Sequence, residues 1–333
     1  MKILVTGATG ALGSRLVPLL TAAGHTVTGT TTSEAKAERL RAAGAEPAVL
    51  DVLDAAAVRE TVANAAPEVI VHEATALSRG IDELRPRDLR RLDASFAPTN
   101  RLRTVGTDNL LAAAAEAGTR RFVAQSFAGW PYKREGGWIK TEEDPMETDP
   151  PAGSEESLAA ILHLEEAVTT APGMEGVVLR YGGFYGPGTS ITPGGQQAEM
   201  LLKRRVPVVG SGDGIMSLVH IDDAAAATAA AVERGEPGLY NITDDDPAAQ
   251  KEWVPRLAAA MGAPPPRRVP LWLARLAAGP WLAMVMTEGR GAANDKAKSE
   301  LGWRLEHPTW RDGFREVFGA GTARTARTAG AAS

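Results

Sequence analysis

Residues 6–13 read TGATGALG, with glycines at positions 7, 10 and 13. They fall between an apolar run, KILVT, and a leucine-rich stretch, RLVPLLTAAG, so the sequence puts them on a turn that leaves a strand and enters a helix. That setting suits a phosphate-binding turn. Gly7 permits the tight bend, Gly10 lets a pyrophosphate approach the amide donors of the helix N-terminus, and Gly13 lets the helix pack closely on the strand. Thr9, Ala11 and Leu12 complete the loop around such a ligand. A glycine turn that binds nothing is the plain alternative, and the strand–turn–helix context disfavours it. Other chemistry is narrower. With no cysteine in the chain, thiolate nucleophiles, disulfides and thiolate metal sites are excluded. The five histidines show no ligand spacing, so no metal is expected.

The elements around this turn repeat a simple alternation. KILVTG, HTVTGTT, EVIVHEA, RFVAQSF and GVVLRYGGF are apolar strands separated by Ala/Leu-rich helices, among them NLLAAAAEAG. Continuous apolar strands with helices between them indicate a parallel sheet covered on both faces. The fold class is therefore α/β, a doubly wound parallel Rossmann sheet with a smaller, mostly helical C-terminal substrate-binding region. Residues 1–182 with 216–246 form the dinucleotide-binding part, residues 183–215 with 247–318 the substrate-binding part, and residues 319–333 a disordered tail. Pro18 is awkward inside the first helix, but the apolar pattern overrides it. Residues 128–156 are rich in Pro, Gly and charge and read as a long functional loop. PLWLARLAAGPWLAMVM, with Trp272 and Trp281, reads as a buried helix or the wall of an apolar pocket.

Net charge of −5 and a pI near 5.7 leave no basic footprint for nucleic acid. No run reaches the roughly 18 apolar residues of a membrane helix, and the chain enters a strand at residue 2, without room for a signal peptide. These features lead us to expect a cytoplasmic protein with no membrane partner.

The TGxxGxxG spacing resembles the extended short-chain dehydrogenase/reductase family, which includes epimerases, dehydratases and reductases. Further segments resemble it: Asp51–Val52 after the third strand, VHEATA at 71–76, GTDNLLAAAAEAG at 106–118, LRYGGFYGPG at 179–188 and VHIDDAAAA at 219–227. The resemblance implies a nicotinamide dinucleotide held by the glycine turn, by Asp51 and Val52, by Ala74, Thr75 and Ala76, and by Gly183 and Phe184. It also implies a carboxylate at position 31 in members that use NAD. Thr31 stands there, followed by Thr32 and Ser33, with Lys36 nearby. Losing the carboxylate removes repulsion against a 2′-phosphate, so NADP is expected ahead of NAD. The competing reading makes Ser33 a helix cap.

The family's catalytic helix carries a Tyr and, four residues on, a Lys. In SEESLAAILHLEEAV those positions are Ser157 and Ile161, or Leu158 and Leu162 one residue along. No tyrosine in the chain is followed by lysine at the fourth residue, so the pair is absent. The resemblance places Ser126 near the substrate oxygen as a hydrogen-bond donor. Tyr132, on the long loop, and Tyr181, after the strand near the nicotinamide, are the leading substitutes for the missing acid. His163 reads as packed or at the surface, and Glu165 and Glu166 as solvated.

Met216 occupies a position where nucleotide-sugar members carry Arg, which argues against a diphosphate substrate. With Leu218, Phe184, Trp272 and Trp281 as candidate walls, a small apolar carbonyl or hydroxyl compound is expected. Three functions follow: an NADP-dependent oxidoreductase with an unusual proton donor; isomerase, lyase or cyclase chemistry without net redox change; or an NADP(H) sensor without turnover. A homodimer through the helices 106–118 and 154–168 is a family-level expectation, although Leu158, Ile161, Leu162 and Val168 equally suit a core.

Overall fold

The computed structural model describes residues 1–77 and 88–329. Seven parallel strands form the central sheet: β1 (Lys2–Thr6), β2 (Thr26–Thr31), β3 (Glu46–Val49), β4 (Val69–His72), β5 (Arg121–Phe127), β6 (Glu175–Tyr181) and β7 (Gly238–Ile242). Their spatial order is β7-β6-β5-β4-β1-β2-β3, so the order reverses beside β1. In open sheets of this kind, the crevice at that reversal, outside the strands' carboxyl ends, takes ligands.

Alternation along the strands divides the core between two faces. Val5, Val71, Val123 and Leu179 pack on one side with Leu16, Leu20, Ala224 and Ala227. These last four lie on α1 (Gly13–Ala22) and a helix starting at Ile221, α6 (Ile221–Glu233). Leu4, Ile70, Phe122 and Val178 pack on the other side. That side is covered by α2 (Ala55–Ala65), α4 (Thr107–Ala117) and α5 (Glu155–Thr169). Between α2 and α4, α3 (Leu92–Arg101) runs into a π turn at Leu102–Gly106 and so into α4. Pro18 sits inside α1 on its exposed side. Leu158, Ile161 and Val168 of α5 are buried within the chain, and Leu162 is half-buried.

Residues 128–156 are tied down along their length. Ile139–Lys140 pairs with Gly291–Ala292, Tyr132 bridges Met146, and Lys133 N donates to Pro145 O at 2.9 Å. The C-terminal region has its own apolar cluster, including Tyr185, Trp253, Leu257, Trp310 and Phe314. It is pinned to the sheet by carboxylates: Asp223 accepts from Glu306 N (2.7 Å) and His307 N (2.9 Å), and Asp244 accepts from Trp310 N (2.8 Å).

Two expectations are corrected. PLWLARLAAGPWLAMVM forms α7 (Leu271–Glu288), kinked at Gly279 (φ 89°) before Pro280. Its first half buries Ala274 and Ala278 but leaves Leu273, Leu276 and Trp272 exposed, the last at 68%, so Trp272 is not a buried wall, whereas Trp281 stacks edge-on with Trp130 at 5.9 Å. The final helix, α8 (Trp310–Ala329), runs through most of the stretch read as a tail, and residues 330–333 lie outside the described part. Among the described residues, no helix is long and apolar enough to cross a membrane.

Candidate active site

The glycine turn is built as a close-packed cradle. Gly7 has φ of 70°, and a Cβ there would lie 2.5 Å from the Glu73 carbonyl oxygen. A Cβ on Gly13 would lie 2.4 Å from the Gly7 oxygen. Backbone therefore occupies the space at both positions. At Gly10 the nearest atom to such a Cβ is the Gly7 oxygen at 3.1 Å, and nothing else comes within 4 Å. The cradle is thus filled on its sheet side and open at Gly10, where a pyrophosphate would approach. Thr9, Ala11 and Leu12 line the same turn, with Leu12 buried beneath it. The residues present fit a dinucleotide.

At the end of β2, Thr31 is 5% exposed; its hydroxyl receives the Ser33 N–H at 3.3 Å and lies 3.5 Å from the Thr9 hydroxyl. Thr32 is exposed, and Ser33 stands at a cap position without making a side-chain cap bond, which leaves its hydroxyl uncommitted among the described residues. Asp51 accepts from Leu53 N at 3.0 Å beside buried Val52, at the edge where an adenine would lie. Ala74, Thr75 and Ala76 follow β4, with Ala76 N donating to Thr99. Gly183 and Phe184 lie on a short strand next to Leu218–Val219, and the Phe184 ring leans on Tyr181 at 5.3 Å.

The three hydroxyls expected to take part in catalysis are all committed elsewhere. Ser126 pairs in register with Arg180 and projects to the α5 side of the sheet, where its hydroxyl donates to Glu165 Oε1 at 2.6 Å. Glu165 is not solvated as expected: it is 5% exposed and holds the Arg180 guanidinium through two bonds of 2.8 and 2.6 Å. Tyr132 does not fold over the site. It is fully buried, its hydroxyl donating to Asn241 Oδ1 at 2.5 Å and accepting from Arg180 at 3.1 Å. Tyr181 is 1% exposed, with its hydroxyl 2.6 Å from Thr228 Oγ1 and 3.2 Å from Glu73 Oε1. Burial drives the Tyr181 phenol well above its ordinary range, and the neighbouring Glu73 adds to this. Lys140, also on the loop, is buried against Glu135 O and Asp144. His163 lies at the surface, 2.8 Å from Asp108.

On α5, Ser157 occupies the tyrosine position but serves the helix end. Its hydroxyl donates to Asp93 Oδ1 at 2.7 Å and accepts from Asn100 Nδ2 at 3.1 Å, while Asp93 also takes the Ser157 N–H. Ile161 is buried without a cation on its own helix.

Two residues that the sequence reading passed over stand out. Glu73 closes β4, is 6% exposed, and has an Oε2 with no hydrogen-bond partner among the described residues; burial raises its pKa to about 8, with the Tyr181 hydroxyl pulling the other way. It is therefore mostly protonated at neutral pH. A glutamate closing an apolar strand in VHEATA was the available signal. Arg103, in the π turn, is 7% exposed and its Nε is likewise without a partner.

His220, Asp222 and His307 bring their ligand-type atoms within 4.8 Å of one another. Each is engaged: His220 Nδ1 accepts from Asp222 N, Asp222 faces Arg15 at 3.4 Å, and His307 Nδ1 lies 2.9 Å from Glu316. The group caps α6 and packs ring on ring at 3.8 Å.

Comparison with known proteins agrees with this geometry. Residues 3–243 match the model of the NAD dependent epimerase/dehydratase family. The chain is 42% identical to a 3-diazoavenalumate denitrifying reductase of a Streptomyces species, over 94% of this chain and 99% of that one. It is 29% identical to a 4-hydroxy-2-methyl-3-oxo-4-farnesyl-3,4-dihydroquinoline-1-oxide ketoreductase of Stigmatella aurantiaca, over 96% and 98%. Among solved structures, a UDP-glucose 4-epimerase of Thermotoga maritima superposes with a TM-score of 0.73 at 22% identity, covering 98% of this chain and all of that one. A human epimerase-family protein bound to NADPH gives 0.72 at 20% identity, over 96% and 99%.

Proposed function

The chain belongs to the NAD-dependent epimerase/dehydratase family, and from that premise we propose that it is an NADPH-dependent reductase whose hydride acceptor needs no proton from the protein. One observation carries this reading: the Tyr–Lys pair is missing, and Ser126, Tyr132 and Tyr181 all have their hydroxyls bonded within the protein. A carbonyl acceptor becomes an alkoxide on hydride addition and calls for a general acid. A diazo acceptor in its arenediazonium form does not. Hydride forms the C–H bond, the C–N bond breaks, and dinitrogen leaves with that bond's electron pair, so charge and atoms balance without a proton.

The name of the 42%-identical relative, a denitrifying reductase acting on a diazo compound, supports that class of acceptor. The bound nicotinamide supplies the hydride. Gly7, Gly10 and Gly13 hold the pyrophosphate, and Thr31, Thr32 and Ser33, lacking a carboxylate, favour a 2′-phosphate. Phe184 and Met216, both partly buried, offer apolar surface to an aromatic substrate. Glu73, uncharged at neutral pH, places no anion beside the cofactor that would hold it in its oxidised, cationic form. Chemistry without redox change is less well supported, since epimerisation and elimination depend on proton transfer and the usual groups for it are absent.

The test uses the purified protein with NADPH deuterated at C4 of the nicotinamide and diazotised 4-aminocinnamate. Expected are oxidation of NADPH, loss of nitrogen and deuterium on the ring carbon that carried it. A ring hydrogen drawn from solvent, or faster reduction of ketones than of the diazo compound, overturns the proposal.

A further inference from the structure

Arg103 is a buried guanidinium with no hydrogen-bond partner among the described residues. It is 7% exposed, its Nε has no acceptor, and among the described residues it makes no hydrogen bond or ion pair. Burial lowers its pKa to about 10, with Glu165 offsetting this only in part. Glu165 makes no hydrogen bond to it and directs its oxygens to Arg180 and Ser126. Buried arginines are normally paired. One left unpaired costs stability, and such a cost points to a ligand that brings the missing acceptor.

The position of Arg103 narrows the choice of ligand. The π turn that carries it packs against α5. It is fastened to the end of β4 by His72, whose ring bonds Thr6 Oγ1 at 2.8 Å and Leu102 O at 3.3 Å. Asn100, three residues earlier, reaches Ser157, and the charge of Glu165 acts on Arg103, which sets the π turn beside the α5 face that carries Ser157, Ile161 and Glu165. β4 and β5 lie on the half of the sheet opposite the adenine edge at β2 and β3. A dinucleotide with its pyrophosphate at Gly10 extends its second ribose in that direction. π turns insert an extra residue and re-aim side chains, often at functional sites.

We infer that Arg103 is a cofactor-binding residue, whose guanidinium donates to the hydroxyls of the nicotinamide ribose from the side of the cleft where α5 carries only Ile161. This rests on the dinucleotide reading above, but not on the identity of the hydride acceptor. The family resemblance calls for a lysine at position 161. Here the positive charge comes from the neighbouring helix.

The experiment measures NADPH affinity by nucleotide fluorescence, and thermal unfolding with and without NADPH, for the parent, Arg103→Met and the double variant Arg103→Met/Ile161→Lys. Arg103→Met is expected to lose about ten- to a hundredfold in affinity, the scale of charge-assisted hydrogen bonds. Its unfolding temperature without nucleotide should not fall, because the charge it loses was unpaired. Lysine at 161 should restore most of the affinity. Three results overturn the inference: unchanged NADPH affinity in Arg103→Met, loss of the nucleotide-free fold, or a defect confined to the KM of the diazo substrate, which would make the guanidinium a substrate contact. Failure of the diazo assay with NADPH binding intact would count against the proposed acceptor and leave Arg103 standing.

Discussion

Replacing Glu73 by Gln should stabilise the protein increasingly as pH rises. Glu73 has an ordinary carboxyl pKa near 4.5 when unfolded and about 8 when folded, because burial disfavours its charge. Between these values the folded state holds a proton that the unfolded state has released, so rising pH favours unfolding. The favourable contribution is complete below pH 4.5 and is lost as pH climbs through 8. Linkage sets the resulting penalty at about 1 kcal/mol at pH 5 and about 4 kcal/mol at pH 8. Glutamine cannot ionise and removes the penalty. It also places an amide N–H where Oε2 lacks a partner, a fixed cost of about 1–3 kcal/mol that does not vary with pH. The assay is urea unfolding of parent and Glu73→Gln at pH 5, 6, 7 and 8. The difference should grow by about 3 kcal/mol across that range in favour of glutamine. A constant difference would refute the assignment of Glu73 as a buried neutral acid.

Gly7→Ala and Gly13→Ala should each abolish nucleotide binding by equilibrium titration, because the new Cβ meets backbone at 2.5 and 2.4 Å. Thr31→Asp should move the preference from NADPH towards NADH by at least tenfold in the ratio of dissociation constants, by returning a carboxylate to the ribose. Tyr132→Phe leaves Asn241 Oδ1 and one Arg180 donor without their partner. It should cost roughly 1–3 kcal/mol in denaturant unfolding and leave the turnover of folded protein unchanged; a selective loss of turnover would return Tyr132 to the active site.

What could be read from the sequence was local. The glycine turn and the alternating strands carry their signals within a few residues, and all of them fold as expected. The fate of side chains at strand ends was harder to read, because it depends on which face a residue takes and on what lies across the sheet. Ser126 looks like a free donor until β5 is set beside β6 and Glu165 arrives from a helix. Glu165 reads as half of a solvated pair until Arg180, fifteen residues later, folds against it. Arg103 sits in NRLRTVGT, which looks like an ordinary helix, and a π turn has no reliable sequence signature. Trp272 gave a misleading apolar signal because the break at Gly279–Pro280 lets the two halves of α7 face different surroundings.

The carboxylates that pin the C-terminal region also set an order of assembly. Asp223 and Asp244 are placed early in the chain's second half, yet their backbone donors are residues 306, 307 and 310. During synthesis the glycine cradle and the first five strands can form while α6 and β7 still lack those donors. A chain that stops short of residue 306 would leave Asp223 without its two backbone donors and Asp244 with only the Asp246 N–H, and would favour opening that edge of the sheet. Products truncated before residue 306 would thus be more readily unfolded and degraded, because residues 306–310 close an edge of the sheet that was made well before them.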